Sequence, residues 1–470
     1  MLLHKDISKI DEIKTFFKDS WLEPLVLSKQ MSLIKLNKSL SFFKMAKTKG
    51  VSFFDVLKLL LFLPMLNVRS IHDALSSETE KKDVYYRGLA NQKINWRSLL
   101  LSTSKRYIDL DEDSSTNKCV IFDDTVIEKT GKKIEGISKI HDHVTKRYFF
   151  GFKLLVAGYW NGSLFIPIDF SFHRESKNSK KKYGLTQKER SKQKKTNRTN
   201  SNYARTRFKE LNKKKTDVMI DMFKRIIKRK ITVDYILIDS WFTSVDVIKR
   251  FLNINNKIHV IGMYKYNSKA LIDGKLIKFD SLKKNSEKLK RSRSYKMYYK
   301  IFDVDMGGIP MRVFIIRKGT NGAWHTIVTT NKKLTFTKMM KLYSIRWSIE
   351  VFFKEAKQLL HLGKNQSTNF DVQVAHTTLT MIQYQLLSLK YRMEAYQTIG
   401  GIFSSVKQEI IEHKLYERII VVISEILTVL ESFVEGLDLD LTMRKLIQYS
   451  SQFTFLNNST ENQSKYKSAA

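Results

Sequence analysis

The sequence predicts a mixed α/β fold: one sheet flanked by helices, with a β-rich insertion and helical regions at both ends. Three observations predict it. Residues 118–125, Lys-Cys-Val-Ile-Phe-Asp-Asp-Thr, are a short apolar run ending in acid, the pattern of a buried strand that carries carboxylates to its tip. Two more apolar runs, at about 148–158 and 163–172, flank Asn161-Gly162, a strong hairpin signal. A helical stretch at about 216–230 then leads into a second acid-ended strand, Asp234-Tyr-Ile-Leu-Ile-Asp239.

Residues 1–115 read as a helical N-terminal domain, with apolar positions at helical spacing in Ile10-Phe16-Phe17 and Phe53-Val56-Leu57-Leu60. The most apolar stretch, Val51 to Leu66, is interrupted by Asp55, Lys58 and Pro64 and is too short to span a bilayer. Asp111-Glu-Asp-Ser-Ser is a polar hinge. Residues 116–256 hold the three-strand meander and the helix-to-strand step, the order of an RNase H-like core. Within them, Arg174 to Lys215 carries 17 Lys/Arg against 3 Glu, a net of +14, and reads as a solvated, mobile insertion suited to phosphate contact. Residues 257–330 alternate like strands, as in Tyr298-Lys-Ile-Phe-Asp-Val-Asp and Met311-Arg-Val-Phe-Ile-Ile, and read as a β-rich insertion. Helical pattern resumes at Phe336, and 331–395 completes the core. Residues 396–470 read as a helical C-terminal region with a frayed polar tail.

The chain has 470 residues and 84 Lys+Arg against 46 Asp+Glu, a formal net charge of +38 and a pI near 9.9. Such a charge calls for a polyanionic partner, without choosing among DNA, RNA and anionic membrane. The single cysteine, Cys119, excludes an intrachain disulfide and a Cys-based zinc site, fits a reducing compartment, and lies in an apolar run as a packed residue does. The N-terminus, Met-Leu-Leu-His-Lys-Asp, turns charged too soon for a signal peptide, so a cytoplasmic, nucleoid-associated location is expected.

The chemistry-bearing residues are acids at strand ends and one helical face. Asp123 and Asp124 end the first strand and Asp239 ends the later one. Tyr343, Arg346, Glu350 and Lys357 have offsets of 3, 7 and 14 from the tyrosine, which at roughly 100° per residue returns all four to one side of a single helix. A solvated amphipathic helix would show a charged face too, with Ile345, Ile349, Phe352 and Phe353 as its apolar side. Neighbouring strand tips plus one helical carboxylate can hold a pair of divalent ions. Hard oxygen donors favour Mg2+, with Mn2+ as substitute, and two such ions suit in-line phosphoryl transfer.

With these residues the chain resembles the DDE transposases of the IS4 family of bacterial insertion sequences. The family's Tyr-(2)-Arg-(3)-Glu-(6)-Lys motif matches Tyr343, Arg346, Glu350 and Lys357; its Asp-x-Thr matches Asp123-Asp124-Thr125; its second Asp matches Asp239 after Tyr-Ile-Leu-Ile. The matching region covers about residues 118–360. The resemblance implies an RNase H-like catalytic domain and cut-and-paste transposition, with terminal inverted repeats as substrate and a homodimer in the synaptic complex. It implies Asp123, Asp239 and Glu350 as metal ligands, and Tyr343, Arg346 and Lys357 as phosphate contacts. The N-terminal domain would bind the transposon ends, and the C-terminal helices are one candidate dimer interface. Asp124 is the alternative to Asp123, since strand alternation lets only one face the metals. Trp324 has two readings: a stacking platform for a flipped base, as the resemblance implies, or a sheet-core tryptophan. Ile140-His141-Asp142-His143 reads as structural, while His173-Arg174-Glu175, just after the third strand, could support the active site or touch DNA, its spacing deciding neither. Rival functions are a catalytically inactive or domesticated DNA-binding protein and an RNase H-like nuclease without strand transfer.

Overall fold

The computed structural model describes residues 25–36, 38, 53–66, 70–74, 82–110, 116–142, 145–177, 183–199, 201–266, 268–272, 274–284, 288–393, 398–411, 426 and 442. Among the described residues, five α-helices precede the sheet: α1 (Leu25–Leu33), α2 (Phe53–Phe62), α3 (Ile71–Ala74), α4 (Asp83–Leu89) and α5 (Trp96–Asp109). The longest, α5, starts where the Asn95 side chain accepts the Ser98 N–H, the expected use of an asparagine cap.

Strand β1 (Cys119–Lys129) lies at the centre of the core sheet. Together β2 (Ser138–His141) and β4 (Phe165–His173) share one edge of β3 (Tyr148–Trp160), whose other edge pairs antiparallel with β1 along its length. After α6 (Gln187–Ser191), α7 (Asn202–Glu210) and α8 (Lys215–Lys228), strand β5 (Tyr235–Ile238) pairs parallel with β1. Helix α9 (Val245–Ile254) then leads to β6 (His259–Tyr264), parallel with β5. The order β4-β3-β1-β5-β6, antiparallel on one side and parallel on the other, is RNase H-like. The two parallel steps need crossovers, which the intervening helices supply. The four residues of β5 are all buried, as in a strand covered on both faces.

The segment expected to begin an insertion at residue 257 opens with β6, a member of the core sheet. Strands β7 (Lys269–Ile272), β8 (Lys275–Lys278), β9 (Lys290–Ser292), β10 (Met297–Asp305), β11 (Pro310–Lys318) and β12 (Trp324–Thr329) extend that sheet, with β12 antiparallel to β6. The chain returns through α10 (Phe336–Ser344), α11 (Trp347–Gln358) and α12 (Phe370–Met393).

Aromatic rings hold the layers. On one face Phe122 of β1 stacks on Phe251 of α9 at 5.7 Å, and Phe223 of α8 meets the same ring edge-on at 5.2 Å. On the other, Phe352 of α11 packs on Phe165 of β4 at 5.3 Å and on Tyr384 of α12 at 4.8 Å. Helix α12 is buried along nearly its whole length. Its Gln385 donates to Ser104 Oγ and the Pro167 carbonyl, and its Gln383 to the carbonyls of Leu60 and Leu61. Helices from before residue 115 therefore share buried contacts with the sheet and α12, within the compact unit Lys29–Ser404.

The segment Arg174–Lys215 is the main departure from the expected mobile insertion. Its charge does not all face water, because several arginines are buried with acids. Arg198 donates to Glu135 at 2.6 and 2.9 Å and to Asp371 at 3.0 Å, and lies over the Phe208 ring. Asp169 of β4, fully buried, accepts from Arg97 at 3.0 Å and Arg225 at 2.8 Å, with Arg207 at 3.9 Å. Burial alone would push the Asp169 carboxyl up; the guanidiniums of Arg225, Arg97 and Arg207 outweigh it and hold the carboxyl well below its usual range.

Candidate active site

Register places the acids together. The parallel pairing of β1 with β5 ends at Phe122 opposite Ile238, so Asp123 and Asp239 are the next residues on neighbouring strands. The acids of β1 are not at its tip: the strand runs on to Lys129 against β3. What ends beside them is the partner β5, whose chain turns at Asp239 as the Asp239 carbonyl accepts from Phe242 N, Thr243 N and Thr243 Oγ1.

Alternation along β1 separates the two candidate aspartates. Asp123 faces α11, where Arg346 Nη1 lies 3.1 Å from its Oδ2. Thr125, two residues on, shares that face and accepts from Lys357 Nζ at 2.7 Å. Asp124 points the other way and pairs with Lys215 Nζ at 2.5 Å.

Arg346 also reaches Glu350 Oε1 at 2.7 Å, so one guanidinium bridges the β1 and α11 carboxylates. The expected single helix is two. Ile345 and Arg346 form a turn in which each N–H bonds the carbonyl three residues back, leaving Tyr343 on α10 and Glu350 and Lys357 on α11. Tyr343 is 8% exposed and lies under the Arg346 guanidinium, 5.8 Å from the ring centroid. Buried Ile349, Phe352, Phe353 and Ala356 fix the rotation of α11 and thereby the direction of Glu350.

The electrostatics are those of buried, crowded acids. Burial pushes the Asp123 carboxyl up to about 7; Arg346 and the Asp124 N–H oppose this, while the charges of Asp124 and Asp239 add to it. Burial raises the Tyr343 phenol to about 12, keeping it protonated at neutral pH. Burial lowers the pKa of Lys357. Among the described residues, no three His, Cys, Asp or Glu side chains form a ready cation site. Arg346 occupies the space between two of the carboxylates.

Other expected residues lie elsewhere. Trp324 opens β12 with Arg317 over its ring at 4.7 Å, partly exposed at the sheet margin. His173 is buried against the Lys213 carbonyl, and burial lowers its pKa to about 4; Glu175 pairs with Lys153. His141 stacks on Tyr148, and His143 lies outside the described residues, as does most of 396–470. Sequence reasoning missed Lys215, the partner of Asp124. It also missed two exposed tryptophans beside the acids: Trp241 at 69%, two residues after Asp239, and Trp347 at 60%, next to Arg346. Their adjacency to the motif was visible, but exposure was not.

Among the described residues, no helix is long and apolar enough to cross a membrane. No curated protein matches the chain. Among solved structures, a cryo-EM structure of a piggyBac transposase synaptic complex with hairpin DNA is similar at 11% identity, covering 92% of this chain and 86% of that one, with a TM-score of 0.41. Residues 168–386 match the family model described as "Transposase DDE domain", and residues 60–272 match "DDE superfamily endonuclease". Each match covers just under half of the chain, and the two overlap; they show similarity to DDE-type transposase and endonuclease domains.

Proposed function

We propose that the protein is a cut-and-paste transposase of the IS4 kind, cleaving duplex DNA at terminal inverted repeats and joining the freed 3′-OH to target DNA. The observation that carries this is the Arg346 bridge: it links Asp123 and Glu350, and Asp239 starts beside Asp123 on the adjacent strand. Three acids far apart in sequence thus lie on adjoining elements, Asp123 within β1, Asp239 just past the end of β5 and Glu350 on α11, and the Lys357 amine reaches Thr125 two residues from Asp123.

Asp123, Asp239 and Glu350 suit a divalent cation. They offer only hard oxygen donors, and the Asp123 carboxyl is pushed up to about 7 first by burial and then by the charges of Asp124 and Asp239, which a cation would offset. Mg2+ or Mn2+ held there would neutralise charge building on the reacting phosphodiester. The rest falls to side chains. Arg346 keeps two of the carboxylates in register and offers donors to a phosphate. Lys357, placed by Thr125, adds a second cation on the same face. Tyr343 stays protonated and able to donate. Asp123 rather than Asp124 is the ligand in this reading, since Asp124 is turned to Lys215.

The partner is duplex DNA: transposon ends, read by the N-terminal helices, and target. Cutting two ends calls for a homodimer. The test is incubation with DNA carrying the element's ends, with and without Mg2+. Metal-dependent nicking and 3′-end joining are expected. Cleavage that survives Asp123→Asn, Asp239→Asn and Glu350→Gln would refute the assignment. Nicking without joining would leave only a nuclease.

A further inference from the structure

Away from the acids, residues 190–198 close a cavity of about 410 Å³ against the turn before β2 and against α7. Arg174, Arg190, Lys194, Lys195, Arg205 and Lys209 line it. The one carboxylate in its wall, Glu135, is already taken by Arg198 and Thr196. Among the described residues, Arg190, Lys194, Lys195 and Lys209 have no carboxylate partner. Arg190 Nε is buried with no hydrogen-bond partner. Arg174, held by Asn212 Oδ1 at 2.8 Å, has its pKa lowered by burial and by the charge of Arg190.

The frame is rigid. Gln193 is buried, accepts from Gly136 N at 3.2 Å and donates to the Ile137 carbonyl at 2.8 Å. Lys194 N donates to the Lys133 carbonyl at 2.9 Å. Gly136 has φ +77°, and a Cβ there would meet Leu211 Cδ1 at 2.6 Å, so the turn admits little change. Like charges fixed on such a frame repel one another, and an external anion relieves the repulsion. Position suggests which anion. From Asp123 the strand β1 runs on to Lys129, and the turn at 130–137 folds back so that β2 opens with Ser138 level with Glu128 and two strands across, which puts the cavity wall about 15–20 Å from Asp123 at roughly 3.3 Å per residue and roughly 4.8 Å per strand. At about 3.4 Å of rise per base pair that is about four to six base pairs of duplex.

We propose that this cavity is a second phosphate site, taking a backbone phosphodiester of the same duplex whose end lies at Asp123, Asp239 and Glu350, about four to six base pairs away. The proposal rests on the transposase reading and assigns to it a fixed path for DNA across the turn before β2.

The test uses the full chain without divalent cation and follows anisotropy of a labelled 30-base-pair end-bearing duplex over a salt series. Lys194→Gln/Lys209→Gln changes exposed side chains only and is the primary variant; Arg190→Gln is the second. The slope of log K against log salt is expected to fall by about 0.9, the one lost phosphate contact, for the double variant, and by no more than about 0.9 for Arg190→Gln, on any duplex sequence. An unchanged slope overturns the proposal, as does an equal fall for Lys224→Gln/Lys228→Gln on α8. If the slope is unchanged while wild type still cleaves in Mg2+, only the phosphate site is lost. If the slope falls but wild type never cleaves, the catalytic reading fails and the site stands.

Discussion

Replacing Asp169 with Asn tests how the basic sequence folds around its own charge. The carboxylate is fully buried and meets Arg97 at 3.0 Å, Arg225 at 2.8 Å and Arg207 at 3.9 Å. Of the acids paired with these arginines only Glu210 remains in the variant, 2.7 Å from Arg97 and 3.7 Å from Arg207. Removing one partner of a buried ion pair costs about 3–5 kcal/mol, because the remaining charge stays desolvated. With an unfolding entropy of roughly 2.1 cal/mol/K per residue over the Lys29–Ser404 unit, that is a fall in Tm of about 4–6 °C. Differential scanning fluorimetry at pH 7 and urea unfolding measure it. The pH profile gives an independent check. The folded carboxyl titrates well below the ordinary value of 3.8, so the unfolded chain takes up the proton first. The stabilisation is complete above about pH 4 and is lost as pH falls below that. The Asn variant should therefore lose less further stability than wild type below pH 4. A variant within about 1 kcal/mol of wild type at pH 7, or parallel acid limbs, would refute the reasoning.

Three further outcomes are expected. Asp123→Asn should lower metal-dependent strand cleavage by at least about 10³-fold while Asp124→Asn keeps most of it, assayed by nicking of end-bearing DNA; the reverse order would transfer the ligand role to Asp124. Arg346→Gln removes the bridge and a phosphate-binding cation, so cleavage should fall by about 10²- to 10³-fold with thermal stability changed by under about 1 kcal/mol; a large loss of stability instead would make the arginine structural. Gly136→Ala should destabilise the fold by about 1–3 kcal/mol, since its φ is +77° and its Cβ would press on Leu211; urea unfolding within about 0.5 kcal/mol of wild type would show that the turn yields.

The strand–hairpin–strand order was legible because short apolar runs, an Asn-Gly turn and helical spacing are local signals, and β1, β3, β4, β5, α8 and α10 fall where those signals lie. The α10–α11 break was not, because no Pro or Gly marks it; two tight turns at Ile345 and Arg346 make it while the helical offsets carry on past it. The segment 174–215 misled for a physical reason: charge density predicts solvation only when the counter-charges are absent. Here Glu135, Asp169 and Asp371, from outside the segment, fold in against its arginines.

Sequence alone singled out the candidate residues: the acids at 123, 124, 239 and 350, the Tyr–Arg–Lys spacing around the last, and the polycation that calls for a polyanion. Tertiary structure decided what local pattern cannot encode. The pleat of β1 turned Asp123 towards Arg346 and Asp124 towards Lys215, the end of the β1–β5 pairing set Asp123 beside Asp239, and the packing of Phe352 between Phe165 and Tyr384 fixed where α11 points Glu350. Side-chain direction depends on register and on contacts between segments more than 200 residues apart, and those exist only once the chain has folded.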